Sequence, residues 1–553
     1  MTADFTDNAR VILGQRYLAT INGKRETEDE FVDRVSMHNE VYKHELIEPL
    51  VFLPNSPTLF NMDVPGGGTL SACFKFDVAD TMLDGSNGIM ETATKAAMVT
   101  KWGGGVGYYL GNLRAAGALV NSTHGKAMGP IAVLKFYNAM GSMLTQSGKR
   151  EAAQMGILDC YHPDILDFIH VKDKDPQSLA TFNISVALTH EFMRNATRDN
   201  TSREHMILKE MARSAWRTGD PGVYFVDTAE RYNPTPKLGR LSGTNPCGEV
   251  PLLNNEPCNL GSINLGKMYD NGAINYDLLE RTARLATRYL DDVLDKNHFP
   301  IQAITDASLL TRKLGLGVCG WADLLALMNI SYSSEEAVYL LDEILKFIRR
   351  VSDEESIKLG YERGVAPCFT NTTTKYRNAT RLCIAPTGTI AILMGASSGI
   401  EPHFLREWTR RMGNGTVLQE HIPVLDKIGD FVPQTAMEID WDWHVKHQAT
   451  AQKHVDLAVS KTINMPNSAT PEQIYDAYVM MWQTGCKGGT VYRDGCRDVQ
   501  VLSAITELEE KLTHQTVDYV TVDTETCPEC GAPVVHAEGC LNCVSCDWTA
   551  CSV

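Results

Sequence analysis

The chain has 553 residues, of which 43% are hydrophobic and 22% charged, and its formal net charge is −17. This composition is ordinary for a globular protein, and a chain of this length can bury a deep site shielded from water. The acidic balance excludes a broad nucleic-acid footprint, which needs clustered Lys and Arg; small anions remain open, because helix N-termini and loop N–H groups can hold them.

In chain order, the start MTADFTDNARVILGQRYL lacks a basic segment followed by an apolar core, so no targeting signal is expected. No run of about 18 apolar residues occurs, so no membrane span is expected either. Residues 1–50 read as a short helical N-terminal region, with the stretch Glu26–Leu50 carrying apolar residues at irregular helical spacing. Residues 51–505 form the expected catalytic body. Helical patterns at Tyr276–Leu294 and Glu335–Ile357 alternate there with short apolar runs at Phe182–Leu188 and Leu382–Ile384. That alternation predicts an α/β fold with a largely parallel sheet. Residues 506–526 are polar and acidic and read as a helix plus tether, and residues 527–553 form a small cysteine-rich module.

Fifteen cysteines without a secretion signal predict a cytoplasmic protein, where thiols serve more often as metal ligands or redox groups than as staples. Six of them crowd the tail. Cys527-x2-Cys530-x12-Cys543-x2-Cys546 has zinc-ribbon spacing, and four thiolates would close a tetrahedral site. Cys540 and Cys551 then remain as a redox shuttle pair. The division is not unique, since Cys540 and Cys543 also form a C-x2-C pair.

Two familiar nucleotide motifs are missing. GGGVGYYLG (Gly103–Gly111) does not fit G-x-G-x-x-G, and SGKR (Ser147–Arg150) lacks the upstream glycine and the Ser/Thr of a P-loop. The densest chemistry lies in TNPCGE, Thr244–Glu249. If that segment is extended, Asn245, Cys247 and Glu249 project from one face and bring an amide, a thiol and a carboxylate together. The other reading is a turn, because N-P and C-G are ordinary loop dipeptides. PTGTI (Pro386–Ile390) reads as a tight turn opening onto a helix, whose N–H groups and Thr387 and Thr389 hydroxyls suit a diphosphate.

NPCGE resembles the finger loop of ribonucleotide reductases, whose cysteine carries a thiyl radical. FLPNSPTLFN (Phe52–Asn61) and SACF (Ser71–Phe74) resemble that family's early substrate-loop and first redox-cysteine regions. The stretches at Lys101–Arg114, Met155–Ile169 and Phe182–Thr189 resemble its barrel. RLCIAPTGTIAI and SSGIEPHF resemble its phosphate-binding stretch, and VSKTINMPNSAT and CKGGTVYRDGCRD its last barrel segments. The similarity runs from about residue 8 to residue 503.

The resemblance implies a ten-stranded α/β barrel with an inner cysteine finger loop. It also implies the roles of individual residues. Cys247 takes and returns the substrate's 3′ hydrogen; Asn245 and Glu249 hold the sugar hydroxyls and the 3′-OH proton. Cys73 and Cys258 supply two reducing equivalents and end as a disulfide, an unperturbed thiol being mostly protonated at neutral pH and so able to donate. Ser56, Thr58, Ser71, Ala72 and the run Pro386, Thr387, Gly388, Thr389 and Ile390 would bind the ribonucleotide, a diphosphate by resemblance.

Three radical sources occur among the family's members. The cysteine-rich tail is unlike a glycyl-radical motif. GGTVYRDGCRD offers Tyr492 alone where an enzyme fed by a metal-bearing partner has adjacent tyrosines. The wording of the later segments resembles the adenosylcobalamin-dependent class, with the large subunit of a two-protein reductase as the alternative. By the same resemblance Asp84, Ser86 and Asn87 would bind a deoxynucleotide or ATP effector, and the short N-terminal region leaves no room for an activity-switching ATP cone. A homodimer and a thioredoxin- or glutaredoxin-like reductant complete the expected partners, with neither nucleic acid nor membrane among them.

Overall fold

The computed structural model describes residues 3–146, 150–173, 179–411, 417–421 and 423–496, with short backbone stretches at 502–503, 534–537, 540–543 and 549–551. The chain divides into two compact units, residues 1–502 and 503–553.

The first unit is built on a ten-stranded sheet. Its strands, in chain order, are β1 (Phe52–Pro54), β2 (Cys73–Asp77), β3 (Gly105–Tyr109), β4 (Gln154–Asp159), β5 (Phe182–Leu188), β6 (Gly222–Phe225), β7 (Pro257–Asn264), β8 (Leu314–Cys319), β9 (Thr462–Met465) and β10 (Gly488–Arg493). Strands β2 to β6 run parallel to one another in sequence order. Strands β7 and β8 are parallel, as are β9 and β10. The two runs meet antiparallel, β2 against β7 and β6 against β10, while β1 pairs antiparallel with β7 on the edge opposite β8. Two isolated parallel bridges, Leu316 to Leu382 and Ile384 to Val459, carry the hydrogen-bonding pattern outward from β8.

Parallel strands covered on both faces bury every residue, and the sequence shows it as near-continuous apolar runs. All five residues of β3 and all eight of β7 are buried. Amphipathic helices supply the cover. Tyr276–Lys296 and Glu335–Arg363 bury Leu279, Leu290, Leu341 and Ile348 against one core, and Arg203–Thr218 and Pro471–Gln483 bury Leu208, Met211, Tyr478 and Met481 against another. A third, small cluster holds Cys73, Cys258 and Cys383.

The helical expectation for Glu26–Leu50 is met only in pieces. Glu28–Val35 is a helix opened by a capping box at Thr27 and Glu30, but Met37 and His38 both take positive φ and break it before Glu40–Ile47 resumes. Phe5, Ile12, Phe31 and Val35 are all buried in the core shared with β7 and β8. Leu382–Ile384, read as a strand, forms only the isolated bridges. The helices expected at Tyr276–Leu294 and Glu335–Ile357 are present and run slightly longer.

In the second unit Val534–Ala537, Cys540–Cys543 and Thr549–Cys551 make a three-stranded antiparallel sheet. The expected tether, residues 506–526, lies outside the described residues. No helix among the described residues is long and apolar enough to cross a membrane.

Candidate active site

Residues 243–252 form a hairpin, in which Gly243 pairs with Leu252 and Thr244 with Pro251. At its tip the Gly248 N–H donates to the Asn245 carbonyl at 3.1 Å, closing a turn with Pro246 and Cys247 at its centre. Proline presets the φ of the first central position, and Gly248, at φ +81°, tolerates what a side chain would resist. The turn reading is therefore the correct one for NPCGE. Asn245, Cys247 and Glu249 do not share one face of an extended strand. Cys247 stands exposed at the apex, while Asn245 and Glu249 turn inward and are 2% and 1% exposed.

Both inward side chains converge on Cys73. Asn245 Nδ2 donates to Cys73 Sγ at 3.0 Å, and the Cys73 thiol donates toward Glu249 Oε1 at 3.8 Å. The Val250 N–H donates to Asn245 Oδ1 at 3.0 Å, Asn183 Nδ2 from β5 donates to the Pro246 carbonyl at 3.0 Å, and the Ala458 N–H donates to the Glu249 carbonyl at 2.7 Å. The hairpin lies so close to β3 that only glycine fits beneath it. A Cβ on Gly107 would stand 1.7 Å from the Thr244 carbonyl oxygen, and one on Gly105 3.0 Å from Pro246 Cγ.

Cys258 is the register partner of Cys73 across the joint of β2 and β7. Burial pushes the Cys73 thiol well up, the nearby Glu249 carboxylate adding to it. Burial likewise raises Cys258, here opposed by the charge of Lys313. Cys383, in the same cluster, is raised by burial. These thiols stay protonated at neutral pH, so they are proton donors in the resting state and poor nucleophiles.

Two cavities meet at the hairpin tip, and Pro246, Cys247 and Pro386 line both. The smaller, about 230 Å³, is lined by Cys73, Ala72, Asn245 and Glu249 together with Ser56 and the run Pro386–Ile390. Thr387 sits there in the left-handed region at φ +57°, starts the short helix Gly388–Leu393, and accepts the Gly399 N–H on Oγ1 at 2.7 Å. A β-branched residue held at positive φ is strained, a condition found at ligand-binding turns. The larger cavity, about 440 Å³, is lined by Gly222, Tyr224, Lys461, Gly489 and Tyr492.

The structure thus brings together Cys247, Asn245, Glu249, Cys73, Ser56, Ala72 and Pro386–Ile390, with Cys258 directly behind Cys73. Thr58 and Ser71 do not line the cavity. The Thr58 hydroxyl donates to the Leu70 carbonyl at 2.9 Å, and the Ser71 hydroxyl accepts from Asn297 Nδ2 at 2.8 Å, so both brace the chain around Cys73. Tyr17, which sequence reasoning passed over, has its hydroxyl 2.8 Å from that of Ser56. Asn183 was also missed; a lone Asn in an apolar strand was the only signal.

Asp84 lies on an exposed loop and lines neither cavity. Its Oδ1 accepts the N–H groups of Ser86, Asn87 and Gly88 at 2.8, 2.6 and 3.1 Å, which hold its carboxyl below the usual range and shape the turn into the helix Ile89–Lys101. Asn87 Oδ1 accepts from Lys95 Nζ at 3.1 Å. In the second unit Cys540 and Cys551 are register partners on adjacent strands, and Cys543 faces Val534. Cys527, Cys530 and Cys546 lie outside the described residues, and no cluster able to hold a metal occurs among the described ones.

The ribonucleotide reductase barrel-domain model matches residues 71–205, 199–377 and 372–492, and the chain belongs to that family. It is 39% identical to the vitamin B12-dependent ribonucleoside-diphosphate reductase of Thermoplasma acidophilum over 91% of this chain and 73% of that protein. It is 39% identical to the protein of the same name from Mycobacterium tuberculosis, over 83% of this chain and 72% of the relative. The vitamin B12-dependent ribonucleotide reductase of Streptomyces clavuligerus is 29% identical over 88% of this chain and 63% of its own length.

Proposed function

We propose that the chain reduces ribonucleoside diphosphates to 2′-deoxyribonucleotides through a thiyl radical on Cys247, raised with adenosylcobalamin. One observation carries this reading: Cys247 is the wall between two cavities, one holding Cys73, Asn245, Glu249 and the Thr387 turn, the other large enough for a second organic group.

The substrate ribose lies against Cys73, Asn245 and Glu249, with its phosphates at Pro386–Ile390, where loop and helix-start N–H groups favour anions. Cys247 removes and returns the 3′ hydrogen. Glu249 accepts the 3′-OH proton, Asn245 orients the sugar, and the protonated Cys73 donates to the departing 2′-OH. Cys73 and Cys258 supply the two electrons and close a disulfide.

The 440 Å³ cavity fits the adenosyl end of the cofactor. Ser460, Asn464 and Thr490 offer polar groups, Tyr224 and Tyr492 aromatic faces, and the Lys461 charge is already neutralised by Glu401. Bound there, adenosylcobalamin supplies the one-electron oxidation of the Cys247 thiol.

Three finer readings go with this one. The bridges Leu316–Leu382 and Ile384–Val459, which lead from β8 toward β9, support closure of the sheet into a ten-stranded barrel around the finger loop. Exposed Met90 and Met98 on Ile89–Lys101, with Phe136 on the helix Gly129–Ser142 packed beside it, support a homodimer formed by a second copy docking there. An effector beside Asp84, Ser86 and Asn87 would then bind next to that interface. The cysteine spacing supports zinc at Cys527, Cys530, Cys543 and Cys546, and the register pairing supports Cys540 and Cys551 as the shuttle to a thioredoxin- or glutaredoxin-like dithiol.

The test is turnover of cytidine diphosphate by the purified single chain with a small dithiol. Deoxycytidine diphosphate should form only with adenosylcobalamin, and Cys247→Ala should abolish it. Turnover that ignores cobalamin, or that needs a second, metal-bearing protein, would overturn the reading in favour of a two-protein reductase.

A further inference from the structure

The two buried thiols of the site are not equivalent. Cys73 lines the smaller cavity, whereas Cys258 lines neither cavity and sits behind it, fully buried. Their polar neighbours differ as well. Cys73 Sγ is 3.8 Å from Glu249 Oε1. On the far side of β7, Asn259 pairs in register with Leu314, which sets Lys313 beside Cys258; Cys258 Sγ lies 3.9 Å from the Lys313 carbonyl oxygen.

Lys313 is 1% exposed and its Nζ is held 2.6 Å from Glu256 Oε2, itself 2% exposed. Glu256 is fixed in turn by the Thr311 hydroxyl at 2.9 Å and the Leu253 N–H at 2.7 Å. A sealed ion pair is weak evidence of a stabilising role. An ammonium near a sulfur, by contrast, favours the thiolate: burial raises Cys258, with Glu256 and Glu249 adding to it, and Lys313 opposes that rise, whereas at Cys73 burial and Glu249 act together with no cation against them. The other titratable groups facing Cys258 are Glu256, Glu249, Cys73 and Cys383.

The geometry points to a fixed direction for re-reduction of the Cys73–Cys258 disulfide, with attack on Cys73 from the cavity and departure of Cys258 toward Lys313, its positioning residue. This rests on the disulfide assigned under the proposed function. A thiolate of a dithiol reductant attacks Cys73 Sγ, and a bond forms between those two sulfurs. The Cys73–Cys258 bond breaks, and its electron pair leaves on Cys258. That thiolate, next to Lys313 just before the neighbouring strand, then takes up a proton released by the reductant. The reductant's second thiol attacks its own sulfur bound to Cys73, releasing Cys73 as a thiol and the reductant as a disulfide. Two electrons and two protons pass from reductant to enzyme. The better-stabilised thiolate leaves faster, so the charge arrangement and the access route select the same sulfur.

Two experiments decide it. The disulfide is first closed with diamide, so the readout does not depend on nucleotide turnover. The enzyme is then exposed briefly to 2-mercaptoethanol, quenched by alkylation and mapped by peptide mass spectrometry. The monothiol should be found on Cys73 and the alkyl group on Cys258; an adduct on Cys258, or an even split, overturns the direction. The second compares wild type with Lys313→Met/Glu256→Gln, which removes both charges together. The pre-reduced variant should keep its single-turnover burst of deoxynucleotide, while steady turnover with dithiothreitol falls about tenfold and regains rate toward high pH. An unchanged steady rate, or an equal loss of burst and steady rate, rejects Lys313. A wild-type chain with no burst at all rejects the proposed function instead, and leaves the adduct map to judge the direction.

Discussion

Cys73 and Cys258 are register partners across the antiparallel joint of β2 and β7. Directly opposed residues in such a pair have Cα atoms roughly 4.5–5.5 Å apart, within the range a disulfide spans. The two thiols can therefore close and open a disulfide with the sheet backbone in place. The joint is also where the run β2–β6 meets β7, so the redox pair sits at the seam of the fold.

Gly107→Ala should be far more damaging than a buried glycine substitution usually is. The new Cβ would overlap the Thr244 carbonyl oxygen, a backbone atom that cannot swing aside, and the 243–252 hairpin must lift. Overpacking of this kind costs about 1–3 kcal/mol or more. Thermal unfolding should show the loss, and turnover should fall further than stability alone explains because Cys247 moves with the hairpin.

Alkylation of the native protein at pH 8 should separate the thiols. Cys247 is exposed and should react first, while Cys73, Cys258 and Cys383 are 3%, 0% and 0% exposed and are all pushed up by burial. Timed iodoacetamide labelling read by peptide mass spectrometry checks the order. Labelling of Cys258 ahead of Cys247 would contradict the structure.

Acid should destabilise the first unit before its carboxylates titrate. His447 is wholly buried, donates through Nε2 to the Tyr332 carbonyl at 2.9 Å, and is lowered to about 3 by desolvation. The folded state thus binds fewer protons than the unfolded one between about pH 6.5 and 3, and stability falls as pH falls through that window. The slope from this one group is about 1.4 kcal/mol per pH unit. His444, lowered by burial and by Lys461, adds in the same direction. Urea unfolding between pH 6.5 and 4.5 should show the decline, and His447→Gln should flatten it.

Cys540→Ser/Cys551→Ser should keep full turnover with dithiothreitol and lose turnover with a thioredoxin-like protein, because only the large reductant needs a shuttle. Parallel assays with the two reductants check this. Equal activity with both would remove the tail pair from the electron path.

The sequence alone determined what is set locally. Asn-Pro-Cys-Gly specifies a turn through a fixed proline φ and a glycine at positive φ, Pro-Thr-Gly-Thr specifies a helix start, and the apolar period of Tyr276–Lys296 specifies a helix face. The mistaken element, one shared face for Asn245, Cys247 and Glu249, came from treating the segment as a free strand when the Gly248 N–H closes it into a turn. Only the tertiary structure decided which distant residues meet. Cys73 faces Cys258 because β2 and β7 pair antiparallel, Gly107 matters because a hairpin presses on β3, and Lys313 reaches Cys258 because β8 runs beside β7. Strand pairing is a contact between remote segments, fixed by the burial of whole faces, and no local pattern of residues encodes it.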